Sequence, residues 1–381
     1  MAGNKTSGQR RTPQRKASTA STSSKNIVAA TKSYEAWMRQ CTPVVESDLR
    51  SKHEQMKEDP FLFFRGTFYR WAQLWPEICP ELSKAPTVLA CGDLHVGSFG
   101  TWRDSEGRLC WGVDDFDEAY PLAYTNDLVR LAASVKMASD SGGLEIKLKD
   151  GCDAILQGYQ QGLKTGGSPI VLAEHEQHLE KLGFDAFAPP PDFWEKLQKL
   201  PVVRTGLPRN LKRTFETILP VPGMDYKIVR RKAGMGSLGQ LRFVAIAEWE
   251  GGCVAREAKA MVPSSCIWRA GGVGPIQQFY RKAMAGAVRS RDPFQKVVGT
   301  WLTRRLSPES NPIEIADLKM RDEAVLLHAM GCEAANVHLG SKRAVRHILK
   351  DLRRRKGNWL RSAGKKMAKA VEGEWKEYAK S

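Results

Sequence analysis

Two short apolar segments of this chain end in carboxylates. Thr87-Val88-Leu89-Ala90-Cys91 runs into Gly92-Asp93-Leu94-His95, and Leu109-Cys110-Trp111-Gly112-Val113 runs into Asp114-Asp115-Phe116-Asp117-Glu118. Both apolar runs read as strands, the second preceded by the turn signal Ser105-Glu106-Gly107. Pairing of the two as a hairpin would bring Asp93 or His95 beside the acidic run. Crowded carboxylates repel one another unless a cation or a proton intervenes, so Mg²⁺ or Mn²⁺ held among them is the economical expectation. Asp93, His95, Asp115 and Asp117 are therefore expected to converge on one cleft.

A glycine-rich stretch, Lys232-Ala233-Gly234-Met235-Gly236-Ser237-Leu238-Gly239, precedes the apolar run Phe243–Ala247. In a dinucleotide-binding unit such a loop would open a helix. Here a strand follows, which suggests a hairpin tip lying over phosphates. Further on, Val254-Ala255-Arg256-Glu257-Ala258-Lys259 reads as a strand carrying a cation that could anchor a phosphate.

Phe64-Arg65-Gly66, Cys91 to Gly100, Asp114 to Glu118 and Asn126 to Ser134 together resemble the domain-of-unknown-function 2252 family, which is mostly bacterial and distantly similar to protein kinases and aminoglycoside phosphotransferases. The resemblance continues through Gly234–Gly239, Arg256-Glu257-Ala258, Asp317-Leu318-Lys319 and the helix ending at His338, about residues 55 to 341. It implies an α+β, protein-kinase-like fold with a small β-rich lobe and a larger, mainly helical one. The implied activity is ATP- and Mg²⁺-dependent phosphoryl transfer, active or degenerate, to an unknown acceptor. Asp93 then looks like the catalytic base, with His95 in the same loop, and Asp115, with Asp117, looks like the metal ligand. Ser98 stands where the family has a metal-binding Asn, and Arg256 where it has the strand Lys, with Lys259 a few residues on as a substitute. Gly234, Gly236, Ser237 and Gly239 would cover the phosphates. The glycine loop follows the catalytic Asp by some 140 residues, and a circularly permuted arrangement would reconcile that order with ordinary kinases. A dinuclear metallophosphoesterase also begins with Gly-Asp-x-His after a strand, but it needs further Gly-Asp and Gly-Asn-His motifs that are missing here.

The elements that must position these residues are mainly helical. Tyr34 to Leu82 reads as helix, Asn126-Asp127 as the N-cap of a core helix reaching about Ala138, and 144–215 as helices broken at Pro189-Pro190-Pro191. Residues 226–262 suggest a β-meander and Glu323 to His338 a long amphipathic helix. His175 and His178 read as part of a solvated face, and His328 and His338 as packing residues. The expected divisions are a disordered basic tail (1–32), a helical lobe with the acidic strands (33–221), a β-rich lobe (222–270), a returning helical part (271–341) and a basic C-terminal tail (342–381), helical or unstructured.

Charge sets a third expectation. Of the formal net charge of +17, residues 1–32 carry +7 and residues 342–381 carry +10, leaving 38 bases and 38 acids between them. Any affinity for nucleic acid or an anionic surface should then reside in the two ends, and a chain of residues 33–341 would lack it. An acid-free, Arg- and Ser-rich start also resembles an organellar transit peptide. No apolar run approaches bilayer length, no secretory signal is visible, and the 8 cysteines form no Cys-x-x-Cys pair, so a cytoplasmic protein with reduced thiols is expected.

Overall fold

Helical spacing of the apolar residues, together with well-placed caps, starts the chain as a run of helices. Asn26 accepts the Ala29 N–H at 2.9 Å and caps α1 (Ile27–Cys41). After α2 (Glu46–Glu58), Asp59 accepts the Leu62 N–H at 2.6 Å and caps α3 (Pro60–Gly66), with a proline at its start. Helices α4 (Phe68–Ile78) and α5 (Pro80–Ser83) follow. The computed structural model describes residues 26–175, 190–272, 278–310 and 320–381. Ile27, Ala30 and Thr31 are buried, so the end of the expected disordered tail is core helix instead. Residues 1–25, His178 and Asp317-Leu318-Lys319 lie outside the described residues.

Strand β1 (Thr87–Ala90) pairs antiparallel with β4 (Tyr120–Ala123), while β2 (Phe99–Arg103) pairs with β3 (Leu109–Val113), which also meets β5 (Ile170–Val171). The two acid-bearing strands therefore lie in different sheets, and the expected hairpin between them does not form. Helix α6 (Tyr124–Asp140) follows β4 directly, with Ala123 at the cap position, so Asn126 and Asp127 fall inside its first turn rather than capping it. Helices α7 (Leu148–Thr165) and α8 (Leu172–His175) close this part.

A five-stranded antiparallel sheet comes next, built from β6 (Lys227–Arg230), β7 (Arg242–Trp249), β8 (Gly252–Ala260), β9 (Lys296–Val298) and β10 (Trp301–Leu306) in the order β6-β7-β8-β10-β9. Its alternating side chains feed two apolar layers. Leu197 of α9 (Pro190–Gln198) packs with Val229, Val244 and Ala255 on one face, and Leu211 and Phe215 of α10 (Leu211–Glu216) pack with Ile228, Phe243 and Ala258 on the other. Helices α11 (Ser265–Arg269) and α12 (Gln278–Gly286) connect β8 to β9.

The chain then returns to the helical body as α13 (Met320–His338), α14 (Lys342–Arg354) and α15 (Trp359–Tyr378). Helix α13 lies against α7 and α15 against α6, where Leu360, Met367 and Val371 are buried in the largest core. The expected basic tail is thus two folded helices. No helix among the described residues is long and apolar enough to cross a membrane, and all eight cysteines are free.

Candidate active site

At the end of β1 the backbone turns sharply through Gly92, whose φ is +84° and where a Cβ would stand 2.3 Å from the Glu118 carbonyl oxygen. Only glycine fits there. Asp127 fixes the turn from α6 by accepting the N–H groups of Cys91 (2.7 Å) and Gly92 (3.0 Å), and Asn126 donates to the Gly92 carbonyl at 3.0 Å. Behind it, His338 Nε2 meets Asp127 at 3.1 Å and His338 Nδ1 meets the Tyr159 hydroxyl at 2.8 Å. Burial opposes the Asp127 charge, yet the His338, Asn126 and Cys91 hydrogen bonds hold its carboxyl below the usual range.

The next residue, Asp93, accepts a 2.5 Å hydrogen bond from Arg130 Nε. The Arg130 guanidinium is buried against the Phe64 ring at 4.0 Å and donates to the Phe64 carbonyl. Burial raises the Asp93 pKa despite that partner, and Asp115 adds to the rise. His95 is buried, its Nδ1 accepts the Gly97 N–H at 3.0 Å, and burial with Arg65 and Arg130 nearby pushes its pKa well down, so the ring is neutral. The Ser98 hydroxyl donates to the Asp93 carbonyl (2.9 Å) and accepts the His95 N–H (3.0 Å). These contacts close the loop on itself, which commits the Ser98 oxygen to local structure.

The second acidic run reaches Asp93 because β4 returns alongside β1, drawing the connection from β3 across Gly92. Burial lifts Asp114 to a pKa of about 6. Asp115 accepts the Asp117 N–H at 3.0 Å; burial opposes its charge, but Lys259, that hydrogen bond, Arg242 and Arg304 together outweigh this and keep its pKa low. Asp117 pairs with Lys259 through one oxygen, leaving Oδ1 buried with no hydrogen-bond partner, and burial together with Asp115 raises its pKa. Glu118 Oε2 accepts hydrogen bonds from the Ser264 hydroxyl and the Ser265 N–H and hydroxyl, yet burial still lifts it to about 7.

From the five-stranded sheet, the connection between β6 and β7 brings the glycine loop over these acids. Arg242 donates to the Ser237 hydroxyl at 2.7 Å, and the Gly236 carbonyl accepts from Lys52 of α2 at 3.0 Å. Gly239 faces Leu49 and Val44 of the helical part, so it seats the loop and lies away from the acids. Alternation along β8 then sorts its charges. Glu257 and Lys259 face the acids, whereas Arg256 points to the opposite face, donates to the Ile218 carbonyl and stacks on Phe294 at 3.9 Å. Arg256 is thus turned away from the cavity, and Lys259 is the cation of this strand that lines it. Glu257, 1% exposed, accepts from Arg231 (2.6 Å), Arg242 (2.7 Å) and Arg304 (2.7 Å); burial opposes its charge, but the three guanidinium groups hold its carboxyl far below the usual range.

Two adjoining cavities result. The outer, about 290 Å³, is lined by Asp93, His95, Ser98, Asp115, Gly234, Gly236, Ser237 and Lys259 among others. The inner, about 50 Å³, is lined by Lys52, Asp93, Asp115, Asp117, Glu118 and Gly236. Asp93, Asp115 and Gly236 border both. Among the described residues no group of three His, Cys, Asp or Glu could hold a metal ion unaided. Asp115 and the unpartnered Asp117 oxygen still suit Mg²⁺, a hard cation that commonly takes one or two carboxylates and fills its shell with water and phosphate oxygens.

Motif reading gave no site role to Lys52, Arg130, Arg242, Glu257 or Arg304. Arg130 and Glu257 lie in stretches it singled out, Asn126–Ser134 and Val254–Lys259, whereas the other three come from elements with no local signal of the site.

Fold and site together define a mixed α/β protein in which an acidic turn of a helical body faces a glycine loop carried by an antiparallel sheet. Residues 44–187 match the model of the domain-of-unknown-function 2252 family, described as an uncharacterised protein conserved in bacteria. The match includes Asp93, Asp115, Asp117 and Asp127 and ends before the glycine loop and Lys259. No curated protein and no solved structure matches the chain.

Proposed function

We propose that this protein is a kinase-like phosphotransferase that uses ATP and Mg²⁺, with the glycine loop after the catalytic Asp in the chain. The observation that carries this reading is the single cavity lined by Gly234, Gly236, Ser237, Lys259, Asp93 and Asp115. Phosphoryl transfer asks a protein mainly for positioning and charge compensation. The Gly236 amide with the Lys259 ammonium would bind the phosphates, and Asp115 with Asp117 would hold the metal, which when bound neutralises phosphate charge. Asp93, with its raised pKa and its carboxylate oriented by Arg130, takes the proton of the acceptor hydroxyl. Glu257 clamps Arg231, Arg242 and Arg304 into one rigid wall. The test is ligand-induced thermal stabilisation of the full chain. Mg²⁺ with ATP should raise Tm, Asp115→Asn should abolish the rise, and Asp93→Asn should keep it while losing ATP turnover. Absence of any Mg²⁺-dependent shift with nucleoside triphosphates overturns the reading.

A second reading concerns α14. Lys342, Arg346, Lys350 and Arg353 are exposed and unpaired among the described residues, while Ile348 and Leu352 of the same helix are buried. With its apolar face already packed, this helix can meet a polyanion by charge alone, which favours a nucleic-acid phosphate backbone over insertion into a bilayer. Binding to duplex DNA that falls steeply with salt, and is lost on changing these four residues to Gln, supports it; salt-independent or unchanged binding counts against it.

A further inference from the structure

Lys52 is 6% exposed, and its Nζ makes one hydrogen bond, to the Gly236 carbonyl at 3.0 Å. No carboxylate among the described residues lies within ion-pair distance of it. An ammonium carries three donors, and burying two of them without acceptors is costly. The open space beside Lys52 is the inner cavity, whose other lining includes Asp93, Asp115 and Glu118.

Two lysines are placed along the site, beside the arginines that also line it, Arg65 in both cavities and Arg231, Arg242 and Arg304 in the outer one. Lys259 opens on the outer cavity and is already met by Asp117; Lys52 opens on the inner cavity and has no ion-pair partner among the described residues. Arg65, Asp93, Asp115, Gly236 and Ser237 line both cavities. A phosphate chain entering under the glycine loop would pass Lys259 in the outer cavity before reaching Lys52 in the inner one. The start of α2 is tied to this part of the sheet at two further points, the cap residue Val45 donating its N–H to the Gly239 carbonyl at 2.8 Å and Asp48 pairing with Arg230 of β6. Lys52 and the loop thus keep a fixed relation.

We infer that Lys52 binds the terminal phosphate of a nucleoside triphosphate and so sets the preference of the site for triphosphate over diphosphate. The inference rests on the phosphotransferase reading and deepens it. Its chemistry is that of a compact point charge on a phosphate oxygen, with the Gly236 hydrogen bond retained as the second contact.

The experiment is calorimetric titration of the full chain with ATP and with ADP, each with Mg²⁺, for the wild type, Lys52→Met and Lys52→Gln. Melting curves without nucleotide confirm that each variant folds. The Gln side chain keeps a donor for the Gly236 carbonyl and removes only the charge, so it separates phosphate binding from loop support. Both variants should bind ATP about 10- to 100-fold more weakly, as expected for loss of a charge-assisted contact. ADP affinity should change less than about threefold by the same reasoning, since ADP lacks the phosphate concerned. Equal weakening of ATP and ADP, as loss of loop support alone would produce, overturns the inference, as does an unchanged ratio in Lys52→Gln. A wild-type protein that binds neither nucleotide overturns the phosphotransferase reading itself, a different and separately visible result.

Discussion

Glu118 is the residue whose ionisation the fold opposes most plainly in the neutral range. Burial lifts its pKa from an ordinary 4.5 to about 7, so between those values the folded chain holds a proton that the unfolded chain has released. Stability from this group is complete below the lower value and is lost as pH rises through the higher one. Glu118→Gln removes the dependence while keeping an acceptor for the Ser265 N–H. The Tm of the variant relative to wild type should therefore be more favourable at pH 8 than at pH 5, and equal differences at both would refute the assignment. Glu257 has the opposite sign. Its charge is wanted, and Glu257→Gln leaves three guanidinium groups without their common partner, so denaturant unfolding should show a loss of about 3–5 kcal/mol. A change under 1 kcal/mol would mean that the arginines find other partners.

Among the elements, α7 and α13 make the closest helix contact. A Cβ at Gly158 would stand 1.9 Å from the His328 carbonyl oxygen, and one at Gly331 2.1 Å from that of Ile155. The obstacle is backbone, which cannot rotate away. Gly331→Ala should cost at least about 1–3 kcal/mol through helix separation, and a variant as stable as wild type in thermal melts would contradict the contact. Element identity was legible where a local pattern set it. The meander at 226–262 and the helix ending at His338 follow from alternation and from helical spacing. Pairing was not legible, because β1 and β3 look alike and nothing local says that β1 joins β4 and β3 joins β2. The acids nevertheless meet, by a different route from the hairpin expected. Asn126 and Asp127 have cap chemistry, but their hydrogen bonds go to the Gly92 turn, a partner no local reading of that helix supplies.

At the scale of the molecule, the C-terminal basic stretch, expected as a helical or unstructured tail, is helical but built into the core, a role hidden because charge dominates its composition. The side chains of α15 that matter to the fold, Leu360, Met367, Val371 and Tyr378, are few and spaced for one buried face. Each such burial is worth about 1.5–3 kcal/mol, and together they approach the whole stability of an ordinary domain. A chain ending at Ser341 should therefore fail to fold, appearing aggregated by size exclusion and without a cooperative melt. A soluble, cooperatively melting truncation would show that α14 and α15 are dispensable. Removing residues 342–381 is thus no test of polyanion binding, whereas substitutions on the exposed face of α14 are.

Between α7 and its partner α13, roughly 150 residues of chain intervene, most of them the five-stranded sheet and its helices. On a translating ribosome, which adds about 5–20 residues per second, the apolar face of α7 waits on the order of 10–30 seconds before α13 is made. Helix α6 waits longer for α15. The sheet, with its strands close in sequence, can fold during that wait, while the body that carries Asp93 stays open. The early helices therefore expose their apolar faces during synthesis, and in a cell-free translation depleted of chaperones the first material to aggregate should be chains arrested between Thr165 and Met320.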